Sequence, residues 1–508
     1  MKPRKYIFLL LTILLFAGLI SGCSAVRRVE YNSFADLKNA EDKITIGFEE
    51  TLAILDQVHD VFPEAEVAYY NDLNGYQAIE SGKIEAYIGD GYMMQTAIRN
   101  GLTGVKILDE SFLTNDVVCA LSSHCQIPDF QNKVNNFIAK IKADGTLDDI
   151  YQRWLYEDDY EMPQMPVVEN PQYTLTITTI GNAKPFSFYE NGKLVGSEIE
   201  IAYLLGAELN ARIVFEVADW DGMIAGVATG KYDICISDLY YSEEKKDNVI
   251  FSDPYYQADL CLMVQDFQSE TGSFWQRLVT GFKNTLINGD RWKMMLSGLG
   301  VTLVITLGGF LLANLLGALL CAMALSRKKP LRALENIYSR IMQGMPIVVA
   351  LMILYYILFS NTKISGILIA ILGFGITGGA YMSQLFSGAL RCVSDGQREA
   401  ALAMGAGKGK VFREIVLPQA ALHAMPGYFS EIISMMKGTA VVGYIAVIDL
   451  TKASDVIRGA TFDAFIPLIS AAVIYILIAF LLISVMNAIL KKINPRRRKR
   501  VLKGVNIK

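Results

Sequence analysis

The chain has 508 residues, of which 52% are hydrophobic and 19% charged, and its formal net charge is −4. Residues 24–275 hold 42 of the 51 acidic and 17 of the 47 basic residues, whereas residues 276–508 hold 9 acidic and 27 basic residues. The basic residues lie at the ends of apolar stretches and the three histidines are far apart, so we expect no nucleic-acid partner, no metal site and no cofactor.

The first 22 residues have the pattern of a signal peptide. Three basic residues at positions 2, 4 and 5 precede an apolar run over 6–20, which is too short for a comfortable membrane span. The sequence ISGC at 20–23 resembles a bacterial lipobox, which would make Cys23 the lipidated N-terminus of the mature protein. The alternative is an uncleaved signal anchor, and both interpretations place the following residues outside the cytoplasm.

Residues 28–266 alternate short β-rich runs with helical patterns, in two parts separated by an acidic, proline-rich stretch at 157–171. This alternation predicts a mostly parallel sheet in each part. The predicted strands are 43–48, 66–70, 85–89, 105–108, 116–121, 175–179, 212–217 and 233–237. The predicted helices are 52–62, 74–81, 93–100, 132–154, 199–209 and 222–229.

One internal echo connects the two parts. Residues 81–90 read SGKIEAYIGD and residues 229–238 read TGKYDICISD, so each part has a helix end, Gly-Lys, a strand and then an aspartate. Ligands of open α/β sheets bind at the carboxyl ends of strands, which makes Asp90 and Asp238 candidate binding residues. The alternative is chance, because a glycine at a helix end followed by a strand is common.

Several motifs resemble the type II solute-binding proteins that capture polar amino acids. In the second part they are PFSF (185–188), GKLVG (192–196), GKYD (230–233) and FSDPYY (251–256), and in the first FADL (34–37), SGKI (81–84) and DGTLDDIY (144–151). The resemblance implies that 28–156 is lobe two and 172–266 is lobe one. The usual order is reversed, which indicates one circularly permuted binding domain.

The resemblance also implies ligand contacts. Asp90 matches the acid that binds the substrate ammonium, Trp220 matches an aromatic that covers the ligand, and Lys245 stands where the family usually has an arginine for the substrate carboxylate. Lysine cannot make the bidentate contact, so selectivity for the carboxylate should be looser. An acidic cleft would favour a cationic or amine-rich ligand. The alternative is that the glutamates at positions 49 and 50 complement a helix N-terminus and face water. The other expected pocket residues are Asp238, Tyr240, Glu49, Glu50 and Thr51.

From residue 296 the composition changes to that of a membrane domain. Each of five apolar stretches is long enough for a spanning helix, and the loops after the first, third and fifth are basic, which places them in the cytoplasm and the start of the first span outside. The segment 274–292 is predicted to be an interfacial amphipathic helix, and 491–508 a basic cytoplasmic tail. The transmembrane domain covers 296–490, with spans at about 296–325, 339–360, 364–390, 423–447 and 464–489.

The loop after the third span resembles the EAA loop of type I ABC importers. The segment 399–418 would form a helix, a glycine turn and a second helix that dock on an ATPase; an ordinary amphipathic connector is the alternative. The residues that carry the resemblance are Glu399, Ala400, Ala401, Gly405, Leu417 and Pro418. Gly344–Ile347 and Lys437–Thr439 also resemble family positions, and Glu431 lies within an apolar span, where it either lines the path or pairs internally.

The sequence therefore predicts an α/β, two-lobed type II periplasmic-binding-protein-like domain joined to an all-α transmembrane domain of five helices with the type I ABC importer fold. The predicted function is a permease subunit, not an enzyme, of an ATP-driven importer for amino acids or related small amines in the bacterial plasma membrane. No phosphate-binding loop GxxxxGK[ST] is present, so a separate ATPase dimer is implied. Five spans make half a pathway, so a second permease copy is expected, with a homodimer favoured. The alternatives are a ligand-gated channel and a ligand-sensing lipoprotein.

Overall fold

The computed structural model describes residues 29–52, 54–157, 161–241, 248–267, 279, 281–360, 362, 364–463 and 465–493. The predicted signal peptide with Cys23, the Lys245 position and nearly all of the predicted tail lie outside the described residues. The predicted interfacial helix 274–292 is described only in part.

The described residues form 13 strands and 17 α-helices, with short 3₁₀ or π segments between them. The strands are β1 (Thr45–Phe48), β2 (Glu66–Tyr69), β3 (Ala86–Asp90), β4 (Val105–Val117), β5 (Ala120–Leu121), β6 (Tyr173–Thr179), β7 (Asn182–Ala183), β8 (Ser187–Glu190), β9 (Lys193–Val195), β10 (Ala211–Val217), β11 (Ile234–Cys235), β12 (Ile250–Phe251) and β13 (Tyr256–Gln265). The helices are α1 (Phe34–Lys38), α2 (Leu55–Val61), α3 (Asp72–Glu80), α4 (Gly91–Arg99), α5 (Phe130–Ala143), α6 (Thr146–Tyr151), α7 (Ser197–Glu208), α8 (Trp220–Ala228), α9 (Arg291–Ala324), α10 (Lys329–Gly344), α11 (Ile347–Met352), α12 (Gly366–Arg391), α13 (Asp395–Ala403), α14 (Lys408–Val411), α15 (Leu417–Gly438), α16 (Leu450–Thr461) and α17 (Phe465–Ile493).

These elements fall into two compact units. Among the described residues, the first unit holds those up to 98, those of 102–114 and those of 259–267, and the second unit holds all the others. The division differs from the predicted lobes, because the long strands β4 and β13 each run from one unit into the other. We call the first unit lobe two, the α/β part of the second unit (115–258) lobe one, and residues 281–493 the helical domain.

Each lobe is built on its own five-stranded sheet. The sheet of lobe two has the order β2-β1-β3-β13-β4, with β1 parallel to β2 and β3, and β13 antiparallel to β3. The sheet of lobe one has the order β10-β6-β11-β5-β12, in which β6 is parallel to β10 and β11. All five residues of β3 are buried, as expected for a central strand covered on both faces. The predicted α/β class is confirmed, but each sheet is mixed rather than mostly parallel, because β13 in lobe two and β5 in lobe one pair antiparallel with their neighbours.

One predicted helix is interrupted. The sequence analysis expected a single helix over 132–154, but α5 ends at Ala143 and α6 begins at Thr146. Gly145 between them has φ 80°, a left-handed conformation that glycine adopts without steric cost. The helix therefore stops at the glycine, and the chain continues through α6 into a π segment at Gln152–Tyr156.

The helical domain contains three helices that are long and apolar enough to span a membrane unaided, and up to five spans if each of two bent helix pairs is counted as one. The first pair, α10 and the segment Ile347–Leu358, bends by 105°. Pro346 lies between the two halves of this pair. It causes the bend, because a proline lacks the N–H that would continue the hydrogen-bond ladder and its ring clashes with the preceding turn. The predicted second span, 339–360, is therefore a broken helix.

Two connecting segments of the helical domain contain helical structure. The link at 449–463, between the fourth and fifth predicted spans, contains the 12-residue helix α16, whose first turn is capped by the Asp449 side chain accepting from Lys452 N–H. In the predicted interfacial segment, Lys283–Ile287 is a π turn, Asn288–Asp290 is a 3₁₀ turn, and α9 begins at Arg291. Gly289 and Asp290 have positive φ and end the earlier turns.

Candidate functional site

Three carboxylates follow the carboxyl ends of the three parallel strands of lobe two. Glu49 follows β1, Asp72 follows β2 and Asp90 ends β3, and these strands are neighbours in the sheet. Glu49 is 7% exposed and Asp90 is 1% exposed. The hydroxyl of Tyr87 lies 3.1 Å from Asp72 Oδ1. Burial, reinforced by the charge of Asp90, raises the pKa of Asp72 to about 7. Three carboxyl groups are therefore gathered at the carboxyl edge of this sheet.

Asp90 also organises the local backbone. Its Oδ1 accepts hydrogen bonds from the backbone N–H groups of Tyr92 (2.8 Å) and Met93 (2.9 Å), in the first turn of α4. The carboxylate thus satisfies donors that a helix N-terminus leaves unpaired, and the helix dipole favours its negative charge. These two hydrogen bonds hold the Asp90 carboxylate at the edge where a ligand of an α/β sheet would bind.

The predicted glutamate loop is split between the interior and the surface. Glu49 is buried, whereas Glu50 is exposed and begins a 3₁₀ turn over Glu50–Leu52, which includes Thr51. Glu49 and Asp90 therefore lie within lobe two and Glu50 faces solvent. Asp72 was missed by the sequence analysis, although the strand-end rule that selected Asp90 would also have selected it after β2.

The echo between the two parts is present in the structure. Gly82 (φ 66°) and Gly230 (φ 74°) both adopt the left-handed conformation after a helix, and each is followed by a strand and then by Asp90 or Asp238. Asp238 is 4% exposed and itself has a left-handed backbone, with φ 45°.

A buried glutamate holds Asp238 in that conformation. Glu198 Oε1 accepts hydrogen bonds from Asp238 N–H and from the Tyr255 hydroxyl, each at 2.5 Å. The Tyr240 hydroxyl donates to Asp238 Oδ2 at 3.3 Å, so the predicted residues Asp238 and Tyr240 are brought together. Burial raises the pKa of Glu198 to about 7. Glu198 gave no signal in the sequence, since a carboxylate in the first turn of a helix is ordinary.

Trp220, the predicted ligand-covering aromatic, begins α8 of lobe one and is partly buried. It packs against an apolar cluster that contains residues of both lobe one and the helical domain, among them Met223 and Tyr356. The preceding residue, Asp219, pairs with Lys452 of α16, which is 5% exposed. The start of α8 is thus fixed to the helical domain, a contact between distant positions that the sequence did not predict.

A second set of contacts joins lobe one to the π-helical segment Ile353–Leu358 of the helical domain and to the residues that follow it. The Lys231 ammonium donates to the carbonyl oxygens of Phe359 (3.3 Å) and Thr362 (3.0 Å) and lies 4.5 Å from the centroid of the Tyr355 ring. The Tyr232 and Tyr355 hydroxyls are 3.3 Å apart. Lys231 therefore donates to two carbonyls at the end of this segment, of which Phe359 O also accepts from Thr362, and it makes a cation–π contact.

Glycines allow the backbones to approach closely at this junction. A Cβ on Gly222 would lie 2.4 Å from the Tyr356 hydroxyl oxygen, and a Cβ on Gly459 would lie 2.4 Å from Asn182 Cβ. Lobe one and the helical domain are consequently packed against each other as tightly as parts of one core.

Within the helical domain, the two glycine-containing motifs and Glu431 converge on one cavity of about 500 Å³. Gln343 and Pro346 line it at the break of the second span, and Glu431 and Gly438 line it from α15. Gln343 Oε1 accepts from Gln384 at 3.0 Å, whereas Gln343 Nε2 is buried without a hydrogen-bond partner among the described residues. Glu431 is half-buried, so the structure places it at a cavity wall.

The predicted coupling loop consists of α13, a glycine turn, α14 and the start of α15. Gly405 has φ 84°, its N–H donates to Leu402 O at 3.0 Å, and Ala406 N–H donates to Ala401 O at 3.1 Å, which is the ordinary glycine ending of a helix. Ala401 is buried in a small apolar core that also contains Val411 and Val416. This core makes the loop a compact unit.

The surface of this loop carries both polar and apolar exposed side chains. Glu399, Ala400, Leu417 and Pro418 are exposed. Three large apolar side chains are also exposed, a feature that the motif did not indicate: Leu402 (42%), Met404 (83%) and Phe412 (46%). We call these three side chains, which flank or follow the Gly405 turn, the apolar tip of the loop; exposed apolar groups of this kind are typical of a surface that binds another protein.

Comparison with known proteins gives matches to the helical domain. Residues 313–499 match the family described as "Binding-protein-dependent transport system inner membrane component". The histidine/lysine/arginine/ornithine transport system permease protein HisM of Salmonella typhimurium (strain LT2) is 31% identical over 213 residues, 38% of this chain and 91% of the relative. The arginine transport system permease protein ArtQ of Bacillus subtilis (strain 168) is 28% identical over 201 residues, 39% of this chain and 92% of the relative. A crystal structure of an amino acid ABC transporter with histidines aligns with a TM-score of 0.38 and 24% identity, over 44% of this chain and 100% of that chain.

Proposed function

The chain belongs to the family of binding-protein-dependent transport system inner membrane components, and we propose that it is a permease subunit of an ATP-driven importer that carries its own solute-binding domain. It is an integral membrane transport component rather than an enzyme, and its family works with an ATPase subunit. The predicted recognition of the family is confirmed. The substrate, the number of permease copies and the side of the membrane on which the lobes lie remain proposals.

We propose that the substrate is an amino acid or a related small amine. The observation that carries this proposal is the acidic edge of lobe two, where Glu49, Asp72 and Asp90 follow three adjacent strands. A carboxylate buried at a strand end favours a cationic ligand group, because the interior dielectric strengthens their attraction. Two relatives are named as permeases of transport systems for arginine and for histidine, lysine, arginine and ornithine, which supports the same class.

The cavity at Glu431 is the proposed half-pathway through the membrane. It lies at the break of the second span, and broken helices at such positions leave backbone groups available to a substrate. Glu431 adds a carboxylate and Gln343 an amide donor to this wall. An amine-bearing solute would find there the same kind of acidic group that lobe two presents.

The loop at 399–418 is the proposed contact with the ATPase dimer. Its exposed apolar tip and the exposed Glu399 support this role, and they favour an importer over a ligand-gated channel or a sensor, neither of which needs such a loop. We further propose a homodimer of this chain, lipidation of Cys23 after removal of residues 1–22, and a position of both lobes outside the cytoplasm. The basic residues of the loops support that orientation.

The test is ligand binding by the full chain in nanodiscs. Arginine, ornithine, histidine, glutamine, glutamate and putrescine would be compared by isothermal titration calorimetry, first with the natural chain and then with Asp90→Asn. We expect binding of one or more amine-rich compounds and a loss of at least about tenfold in affinity on removing the charge, equivalent to about 1.4 kcal/mol.

The matched control is Asp56→Asn, which removes an exposed carboxylate of α2 in the same lobe. It should leave the affinity unchanged. Tighter binding of glutamate than of any cationic compound would contradict the proposed substrate class. ATP-dependent uptake of the bound compound into proteoliposomes with the partner ATPase separates import from sensing, and a ligand that binds but is never transported would contradict the importer.

A further inference from the structure

A second cavity, of about 620 Å³, lies at the junction of lobe one and the helical domain and is distinct from the proposed binding and transport sites. Lobe one contributes Tyr189, Asn191 and Glu216 to its walls, and α9 contributes Arg291, Lys293 and Ser297. The rest of the lining is mostly apolar and comes from α9, the start of α12, the stretch before α16 and α16 itself. The volume falls in the range of ordinary small-molecule sites.

The cavity lies at the level where lipid headgroups meet the protein. Helix α9 has 34 residues and is about 51 Å long, well beyond the ~30 Å hydrocarbon thickness. Its first turn carries Arg291, the exposed Trp292 and Lys293, whereas the exposed apolar side chains begin at Leu296. Tryptophan and basic residues at the start of a span mark the headgroup layer.

The face of α9 that lines the cavity continues into the apolar surface of the helix. Lys293, Ser297 and Val301 line the cavity at intervals of four residues, and Val304 (53% exposed) and Leu311 (66% exposed) lie on the same face further along. A molecule with a polar head in the cavity could therefore lay an apolar tail along these side chains.

The charges of the cavity balance. Asp290 and Lys293 pair at 2.5 Å, and Arg291 Nη1 donates to the carbonyl oxygens of Asn284 (2.9 Å) and Asn288 (3.0 Å). The Glu216 carboxylate makes no hydrogen bond with any described residue, and the nearby Lys231, which donates to two carbonyls, is the cation whose charge acts on it. Two acidic and two basic groups fit a zwitterion better than a net anion.

We propose that this cavity binds the headgroup of a zwitterionic phospholipid with a primary amine. Its phosphate contacts Arg291 and Lys293, its ammonium contacts Glu216, and an acyl chain lies along Val304 and Leu311. The lipid fills the junction between lobe one and the helical domain. The proposal depends on the membrane location of the chain and not on its transport activity, so either can fail without the other.

The experiment is lipid retention by the purified full chain. After mild detergent delipidation, mass spectrometry would count the lipids bound per chain on re-addition of phosphatidylethanolamine, phosphatidylcholine or phosphatidylglycerol. We expect phosphatidylethanolamine to be retained preferentially, and its retention to fall at least about tenfold in Glu216→Gln and in Arg291→Gln. Phosphatidylcholine should bind more weakly because its quaternary ammonium has no N–H to donate to Glu216.

Lys283→Gln is the matched control, since it removes an exposed cation from the segment that precedes α9, outside the cavity lining. It should retain as much phosphatidylethanolamine as the natural chain. The headgroup series on the natural chain needs no variant, so misfolding of a variant cannot decide the result. Equal retention of all three lipids, or unchanged retention in Glu216→Gln, would overturn the proposal. Disulfide-linked dimers of Ser297→Cys would overturn it as well, because they would place a second copy of the chain on this face.

Discussion

The two ends of the helical domain are finished in different ways. At one end lobe one covers the helices, with Asp219 paired to Lys452, Lys231 bound to two carbonyls and glycines in close contact. At the other end, about 39 Å away along the 26 residues of α12, the loop at 399–418 leaves Met404 and Phe412 exposed.

The difference shows which interface of the helical domain is formed within this chain and which requires a separate protein. The covered end has a complete interface made from one polypeptide. The bare end has a small core of its own and an apolar tip, which indicates that its partner is another protein. A fused binding domain explains the covered end, and a separate ATPase explains the bare end. Four predictions follow, from the largest expected effect to the smallest.

The largest effect is expected at the bare end. Glu399→Lys reverses the charge of the exposed glutamate and should reduce ATP-dependent uptake in proteoliposomes by at least about tenfold, because a like-charge contact at an interface costs several kcal/mol. The matched control is Glu414→Lys, which reverses an exposed carboxylate in the same loop. Equal losses in the two variants would show that the loop tolerates no added cation anywhere, and would remove the support for Glu399 as a specific contact.

The second prediction concerns the buried Glu198 carboxyl of lobe one. Its pKa in the folded state, about 7, lies above the ordinary value of 4.5, so the folded state holds this proton more tightly than the unfolded state does. The free energy of unfolding should therefore fall as the pH rises from about 4.5 to 7, by on the order of 3 kcal/mol at most. Asp72 in lobe two should add to this slope in the same direction.

Glu198→Gln should flatten the pH dependence of the melting temperature between pH 5 and 8. The amide oxygen can still accept from Asp238 N–H and the Tyr255 hydroxyl, so the fold is preserved. Glu208→Gln, at an exposed ion pair with Lys140, is the control and should leave the slope unchanged. A variant with the same slope as the natural chain would show that Glu198 does not titrate in this range.

The third prediction tests the covered end. Asp219→Asn leaves the nearly buried Lys452 without its ion pair, and we expect the full chain to lose about 2 kcal/mol of stability in denaturant titrations. The cost is below that of a fully buried pair because the Asp219 side chain is 36% exposed. If Lys452→Met combined with Asp219→Asn is as unstable as the sum of the single variants, the two side chains are not coupled.

The smallest effect is expected at the loop turn. Gly405→Ala places a Cβ on a left-handed backbone, which costs about 1 kcal/mol in the conformation that the turn adopts. Because about 1 kcal/mol changes an equilibrium constant about fivefold, the variant should bind the ATPase about fivefold more weakly. Gly407→Ala is the control, because Gly407 is also exposed but has φ −65°, where alanine is not strained. Similar affinities for both variants would mean that the turn does not set the shape of the contact surface.

The sequence predicted those parts of the fold that depend on local patterns. Strand and helix periodicity located most elements of the lobes to within a few residues, and the EAA motif located the two-helix loop. The break of α5 at Gly145 was missed because an isolated glycine within a helical pattern usually costs only about 1 kcal/mol and is tolerated. The bend at Pro346 was missed because the apolar run continues through it, and composition carries no information on direction.

The contacts that depend on tertiary structure could not be predicted. The pairs Asp219–Lys452 and Lys231–Phe359 join positions more than 100 residues apart, and each charged residue alone looks like an ordinary surface charge. The predicted ligand residues divide in a similar way. Asp90 lies buried at the end of β3 and Asp238 lies buried three residues after β11, whereas Glu50 is exposed.

The covalent junction between lobe one and the helical domain has a consequence for capture. A binding protein that diffuses freely must find its transporter, and the ratio of the two depends on their separate expression. Here each permease chain is synthesised with its own binding domain, so the local concentration of that domain is of the order set by a short tether, about millimolar, at every expression level. The uptake rate of such a chain should therefore saturate as the solute concentration rises, and it should not depend on the concentration of a separate binding protein.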